Sequence, residues 1–134
     1  MIRLMSALSI VALMSVAPSV LAEPVVTASG LVYEQLQAGS GASPGPRDRV
    51  RVHYRGTFTD GREFDSSYGR GQPIDFGLSQ VIACWTEGLQ RMQVGGKARL
   101  ICPPSIAYGS RGAGRVIPPN ATLMFEVELI DVLR

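Results

Sequence analysis

Val81-Ile82-Ala83-Cys84-Trp85, continuing as Thr86-Glu87-Gly88-Leu89-Gln90-Arg91-Met92, is the stretch around which the rest of the chain is organised. Trp85, Leu89 and Met92 stand at i, i+4 and i+7, one apolar stripe at helical spacing. Thr86, Glu87, Gln90 and Arg91 lie between them and suit a solvated back. Gly95-Gly96 follows, and glycine just past the last periodic residue is a stop signal. The spacing predicts one helix of about ten residues. On both sides the pattern changes to that of strands, and no second strong helical period is visible.

Downstream, Ala98, Leu100 and Cys102 alternate with Lys97, Arg99 and Ile101 until Pro103-Pro104 ends the strand. Ser105 to Asn120 is a long Gly- and Pro-rich loop that nevertheless carries Ile106, Tyr108, Val116 and Ile117, the composition of a functional flap. The last strand, Thr122 to Leu133, points Leu123, Phe125, Val127 and Leu129 inward and Glu126 and Glu128 outward. Upstream, Leu31 to Leu36 has strand propensity, and residues 39–46 form a loop. Arg49 to Phe58 alternates cleanly: Val50, Val52 and Tyr54 on a buried face, Arg49, Arg51, His53 and Arg55 on a cationic outer one. His53 is therefore expected on the surface. Asp60-Gly61 is a hairpin turn signal, with Phe64 and Asp65 on the returning strand. Ser66 to Pro73 reads as a polar, glycine-rich excursion containing Arg70, and Ile74-Asp75-Phe76 as a short strand. Together these predict an α+β fold, a curved antiparallel sheet with one short helix against its concave face.

The first residues have a different character. Arg3 is followed by an apolar run from Leu4 to Leu21, interrupted by serines and Pro18 and closed by Val20-Leu21-Ala22. One early positive charge, an apolar run and a small-residue end describe a secretory signal peptide over residues 1–22. The run is too short and too broken for a membrane span. Residues 23–134 would then be a single mature domain in the periplasm or outside the cell. Without Arg3 its net charge is near +1, and no basic block or basic–aromatic interleaving points to nucleic acid. Cys84 and Cys102 are the only cysteines. In an oxidising compartment they form a disulfide or remain two buried thiols; the sequence leaves both open.

Conventional catalytic parts are missing. Ser66, Ser67, Ser79 and Ser110 have no histidine–acid pair beside them in the sequence. There is no phosphate loop, no Gly-x-Ser-x-Gly elbow and no ligand cluster for a metal, so neither a metal nor another cofactor is expected. What stands out instead is aromatic and aliphatic residues at strand ends and in loops: Tyr54, Phe64, Ile74, Val81, Ile82, Trp85, Tyr108, Ile117 and Phe125. Such residues beside long loops suit the walls of a concave apolar pocket.

A series of short motifs, in order, resembles the FKBP-type peptidyl-prolyl cis-trans isomerases. They are His53-Tyr54-Arg55-Gly56, Asp60-Gly61, Phe64-Asp65-Ser66-Ser67, Val81-Ile82, Trp85-Thr86-Glu87-Gly88, Gly95-Gly96-Lys97-Ala98, Ala107-Tyr108-Gly109, Ile117-Pro118-Pro119-Asn120-Ala121-Thr122-Leu123 and Phe125-Glu126-Val127-Glu128-Leu129. The resemblance runs from about Gly30 to the end and is greatest to secreted bacterial members related to macrophage infectivity potentiator. It implies an enzyme that speeds rotation about Xaa-Pro bonds in exported proteins, with proline-containing peptides and macrolides such as tacrolimus or rapamycin as ligands.

By the resemblance, Trp85 is the pocket floor and Tyr54, Phe64, Val81, Ile82 and Phe125 its walls, with Ile74 and Ile117 counted among the substrate contacts. Tyr108 in the flap offers its hydroxyl to a carbonyl. Asp65 is the polar group at the mouth, and Arg70 supports it. Three departures stand out. Ile74 holds a position often aromatic, which implies a thinner wall. Cys84 replaces the usual glycine before the tryptophan, and the flap stretch Gly112-Ala113-Gly114-Arg115 lacks a histidine that some relatives carry. Residues 23–30 are too few for the helical dimerisation arm of those relatives, so a monomer is expected. Two other readings remain beside the enzyme, a binding module with little turnover and a general holdase.

Overall fold

The computed structural model describes residues 23–134. The expected signal peptide and its cleavage after Ala22 lie outside the described residues. Seven strands form one antiparallel sheet: β1 (Val25–Val26), β2 (Val32–Gln37), β3 (Arg49–Phe58), β4 (Glu63–Ser66), β5 (Ile74–Gly77), β6 (Lys97–Cys102) and β7 (Leu123–Leu133). Their order is β1-β2-β6-β7-β3-β4, and β5 also pairs with β3. Helix α1 (Ser67–Arg70) follows β4 directly, and α2 (Ala83–Leu89) packs against the sheet between β5 and β6.

The alternation read in the sequence sets the two faces. Val50, Val52 and Tyr54 of β3, Ala98, Leu100 and Cys102 of β6, and Leu123, Phe125, Val127 and Leu129 of β7 are all buried on one face. β3 and β7 pair along their length, so that Tyr54 lies opposite Val127 and Gly56 opposite Phe125. The outer face is less cationic than its sequence suggests. Arg51 pairs with Asp75 at 2.9 Å and Arg55 with Glu63 at 3.0 Å. Arg99 reaches both Glu34 and Glu126, its register neighbours on β2 and β7.

Helix α2 lies on the buried face because its stripe is apolar: Trp85, Leu89 and Met92 are 4%, 0% and 2% exposed. It is shorter than predicted, seven residues rather than ten. Past Leu89 the chain tightens, with Arg91 N–H donating to the Gly88 carbonyl and Met92 N–H to that of Leu89. These i→i+3 bonds end the helix while keeping Met92 on the buried side. Gly88 is required by close approach: a Cβ there would stand 2.8 Å from the Leu100 side chain of β6.

A disulfide joins Cys84 to Cys102, whose Cα atoms are 5.8 Å apart, and both residues are fully buried. It ties the first turn of α2 to the end of β6, the alternative the sequence left open.

The excursion after β4 contains a helical turn that no sequence period announced. The Ser66 hydroxyl accepts from Gly69 N–H at its start, and Gly71, at φ +70°, ends it. The flap also has more order than its composition implies, with a 3-10 turn over Pro104–Ile106 and a bridge between Ala113 and Ile117.

Candidate active site

Where the helix meets the sheet, a hollow of about 460 Å³ opens to the surface. Tyr54, Phe64, Asp65, Phe76, Gln80, Val81, Ile82, Trp85, Tyr108 and Phe125 line it. Its size falls in the ordinary range of small-ligand sites. A larger groove of about 690 Å³ crosses the outer side of α2 between Ser29 and Ile106. It is shallow and contains no aromatic ring, so the hollow over Trp85 is the better candidate.

Each element contributes what its local structure allows. The first turn of α2 presents the indole. Three rings stand nearly perpendicular to it: Tyr54 of β3 at 5.2 Å and 84°, Phe76 of β5 at 5.3 Å and 78°, and Phe125 of β7 at 5.4 Å and 88° between centroids and planes. Phe64 of β4 meets Phe125 edge-on at 5.7 Å. Edge-to-face pairs are the favoured aromatic geometry, so the walls brace one another as well as the floor. Gly56 makes room for them: a Cβ on it would lie 2.5 Å from the Phe64 ring and 3.0 Å from that of Phe125. Tyr108 reaches the hollow from the flap and is 41% exposed.

The indole Nε1–H is buried without an acceptor among the described residues. An unpaired buried donor costs about 1–3 kcal/mol. Such a donor in a native structure calls for an explanation, and a working site is one.

A carboxylate lies at the mouth. The Asp65 carboxylate accepts from the Tyr54 hydroxyl and, at 2.6 Å, from the Arg70 guanidinium, which also donates to the Tyr54 oxygen at 3.2 Å. Partial burial alone would raise the Asp65 pKa, but the Tyr54 hydroxyl and Arg70 outweigh it and hold it below the ordinary value. Burial, with the Asp65 bond second, pushes the Tyr54 phenol upward, so it remains a donor. The carboxylate is thus ionised, with both oxygens accepting hydrogen bonds.

Because its folded pKa is lowered, the triangle's contribution to stability is complete above the ordinary aspartate value near 4 and is lost as pH falls through the lowered one. Replacing Arg70 with glutamine raises the Asp65 titration midpoint, and carbon NMR of the carboxyl group reads the change. An unmoved midpoint contradicts the role given to Arg70.

Of the residues named from sequence, Tyr54, Phe64, Asp65, Val81, Ile82, Trp85, Tyr108 and Phe125 come together, with Arg70 behind Asp65. Ile74 and Ile117 do not line the hollow. Ile74 sits opposite Val52 and packs on the core, while Ile117 is 5% exposed and bonded to Ala113 within the flap. Phe76 and Gln80 were missed. Phe76 is two residues beyond Ile74 and so on the same strand face; it stands against Trp85 as an aromatic wall of the hollow.

Ser67 meets a histidine that lies 14 residues away in the sequence, but no histidine–acid pair. His53 Nδ1 is 2.9 Å from Ser67 Oγ, and the ring, only half-buried, stacks on Tyr68 at 4.5 Å. That serine is no nucleophile, since it is fully buried and its oxygen already accepts from Tyr54 N–H.

An antiparallel sheet cupping a short helix, with an indole-floored aromatic hollow between them, is the arrangement of a prolyl-isomerase domain. The chain belongs to the FKBP-type peptidyl-prolyl cis-trans isomerase family, whose profile matches residues 41–130. It is 52% identical over 106 residues to FKBP-type peptidyl-prolyl cis-trans isomerase FkpA of Escherichia coli, covering 79% of this chain and 39% of that protein. To the FKBP-type 22 kDa peptidyl-prolyl cis-trans isomerase of the same organism it is 51% identical over 107 residues, covering 80% and 52%. The crystal structure of E. coli FkpA superposes with a TM-score of 0.79 at 50% identity, over 81% of this chain and 51% of that one. A peptidyl-prolyl cis-trans isomerase from Pseudomonas syringae superposes with a TM-score of 0.78 at 42% identity, over 83% and 81%. The chain spans about two fifths to one half of the length of these curated relatives.

Proposed function

We propose that this domain is a peptidyl-prolyl cis-trans isomerase acting on Xaa-Pro bonds of exported proteins. The observation that carries the reading is the aromatic box, three rings standing edge-on around an indole whose N–H has no partner. A proline ring is compact and apolar, so it fits a floor of that kind. The chemistry asks for no nucleophile. Amide resonance sets a rotation barrier of about 18–20 kcal/mol. In the twisted transition state that resonance is lost, and the carbonyl carries less negative charge than in the planar ground state.

Water favours the planar form, and an apolar hollow withdraws that advantage, which is a preference for the transition state. Trp85 holds the ring while Tyr108 holds the preceding carbonyl in a turned shape. Asp65, Tyr54 and Arg70 fix the mouth. A 10⁴-fold acceleration corresponds to about 5.4 kcal/mol of such preference.

Proline-containing segments of unfolded exported proteins are the substrates, macrolides such as tacrolimus occupy the same hollow, and the domain works as a monomer in the periplasm or outside the cell. Its leader composition and its buried disulfide both suit an oxidising compartment. The test is refolding of a client limited by a native cis-proline. The purified domain should shorten the slow phase, and a tacrolimus-like macrolide should restore it. A slow phase indifferent to the protein would leave a binding module as the better description.

A further inference from the structure

Strand β3 is paired unevenly along one edge. β5 covers it from Arg49 to Val52, and β4 covers it from Arg55 to Thr57. His53 and Tyr54 fall in the gap, where no strand supplies backbone partners on that side. A single side chain fills it. Ser67 Oγ accepts from Tyr54 N–H at 2.7 Å, lies 3.3 Å from the Tyr54 carbonyl as a donor, and meets His53 Nδ1 at 2.9 Å. Ser67 is the one fully buried polar residue among those described.

Ser67 is also the first residue of α1, the turn that ends at Arg70. Apart from Ser67, the turn is held to the sheet by partly exposed contacts: Tyr68 stacks on His53 and donates to Glu128 at 3.0 Å, while Arg70 is exposed and Gly69 contributes no side chain. Tyr54, by contrast, stays in the ladder with β7 whatever happens on its other edge.

We infer that Ser67 is a positioning residue: by bonding the unpaired edge of β3 at Tyr54 it seats α1, so that Arg70 reaches Asp65 and Tyr54 at the mouth of the hollow. The inference rests on the reading of that hollow as the catalytic site. Ser67 touches no substrate; it acts through Arg70.

The test is a double-mutant cycle of Ser67→Ala and Arg70→Gln, with kcat/KM on an Xaa-Pro peptide measured well below the melting temperature of every variant. S67A alone should lower kcat/KM by about 5- to 10-fold. In the R70Q background the same change should cost less than twofold, because Arg70 is already gone, while its effect on Tm persists in both backgrounds. Equal losses in the two backgrounds, or no loss in S67A, overturn the inference.

If S67A does not fold, Ser67→Thr is measured in the same cycle. It keeps the oxygen but crowds a fully buried seat, and its loss should likewise vanish with R70Q. The Asp65 titration separates this inference from the catalytic reading, since it needs no turnover. S67A should raise the Asp65 midpoint even if the wild type proves to be only a binder, and an unchanged midpoint counts against the seating role.

Discussion

Replacing both Cys84 and Cys102 with alanine lowers the stability of the domain by about 3 kcal/mol, the chain-entropy value for a loop of this size, their separation being 18 residues. For a domain of this length that corresponds to a fall in Tm of order 10–20 °C. The measurement is thermal unfolding of the variant beside the oxidised parent. The bond joins two parts of the candidate site. Cys84 immediately precedes the floor tryptophan, and Cys102 is the last residue of β6 before the flap that carries Tyr108. Because both sulfurs are fully buried, reductant alone should act slowly on the native domain and quickly once denaturant is added. A variant with unchanged Tm would show that the packing of Gly88 on Leu100 holds α2 to the sheet without the cross-link.

The second large effect falls on Trp85. Trp85→Ala removes the floor, and with it the edge contacts of Tyr54, Phe76 and Phe125. Two losses are expected. Stability falls by about 3–5 kcal/mol, the usual range for a buried aromatic truncated to alanine. kcat/KM on an Xaa-Pro peptide falls by about 10²-fold, equivalent to about 2.7 kcal/mol of transition-state stabilisation. The activity is compared under conditions where circular dichroism shows the variant folded, so the two losses are read separately. A folded Trp85→Ala protein with undiminished kcat/KM would assign the indole to the core alone.

Much of the fold was legible because burial on one face of a strand leaves a period of two. β3 carries that period through Gly56 and β7 through Leu129, and both were found with nearly correct ends. The stripe of Trp85, Leu89 and Met92 likewise announced α2. Its length was overestimated, because tight turns can keep a residue on the buried side after the helix has ended. Helix α1 gave no such sign. It is four residues long, holds a glycine, and is defined by a serine cap and a left-handed glycine more than by any apolar period.

The site divides in the same way. Floor and most walls followed from motifs, whereas Phe76 was passed over for its strand neighbour Ile74, since both share one face and only the packing decides which reaches the hollow. The contact of His53 with Ser67 spans 14 residues of sequence and depends on where β5 stops and β4 begins, a matter of register that composition does not encode. The disulfide was open for a like reason, because spacing along the chain does not give the distance between Cα atoms.

The proposed function requires that an apolar hollow floored by an indole let a prolyl amide turn without a reactive group. Exchange NMR on a short Xaa-Pro peptide with a small molar fraction of residues 23–134 tests it most directly. Exchange cross-peaks between the cis and trans resonances are expected at mixing times of a second or less, abolished by a saturating macrolide. Cis and trans signals that exchange no faster than in buffer, with the domain folded and at the same concentration, would contradict it.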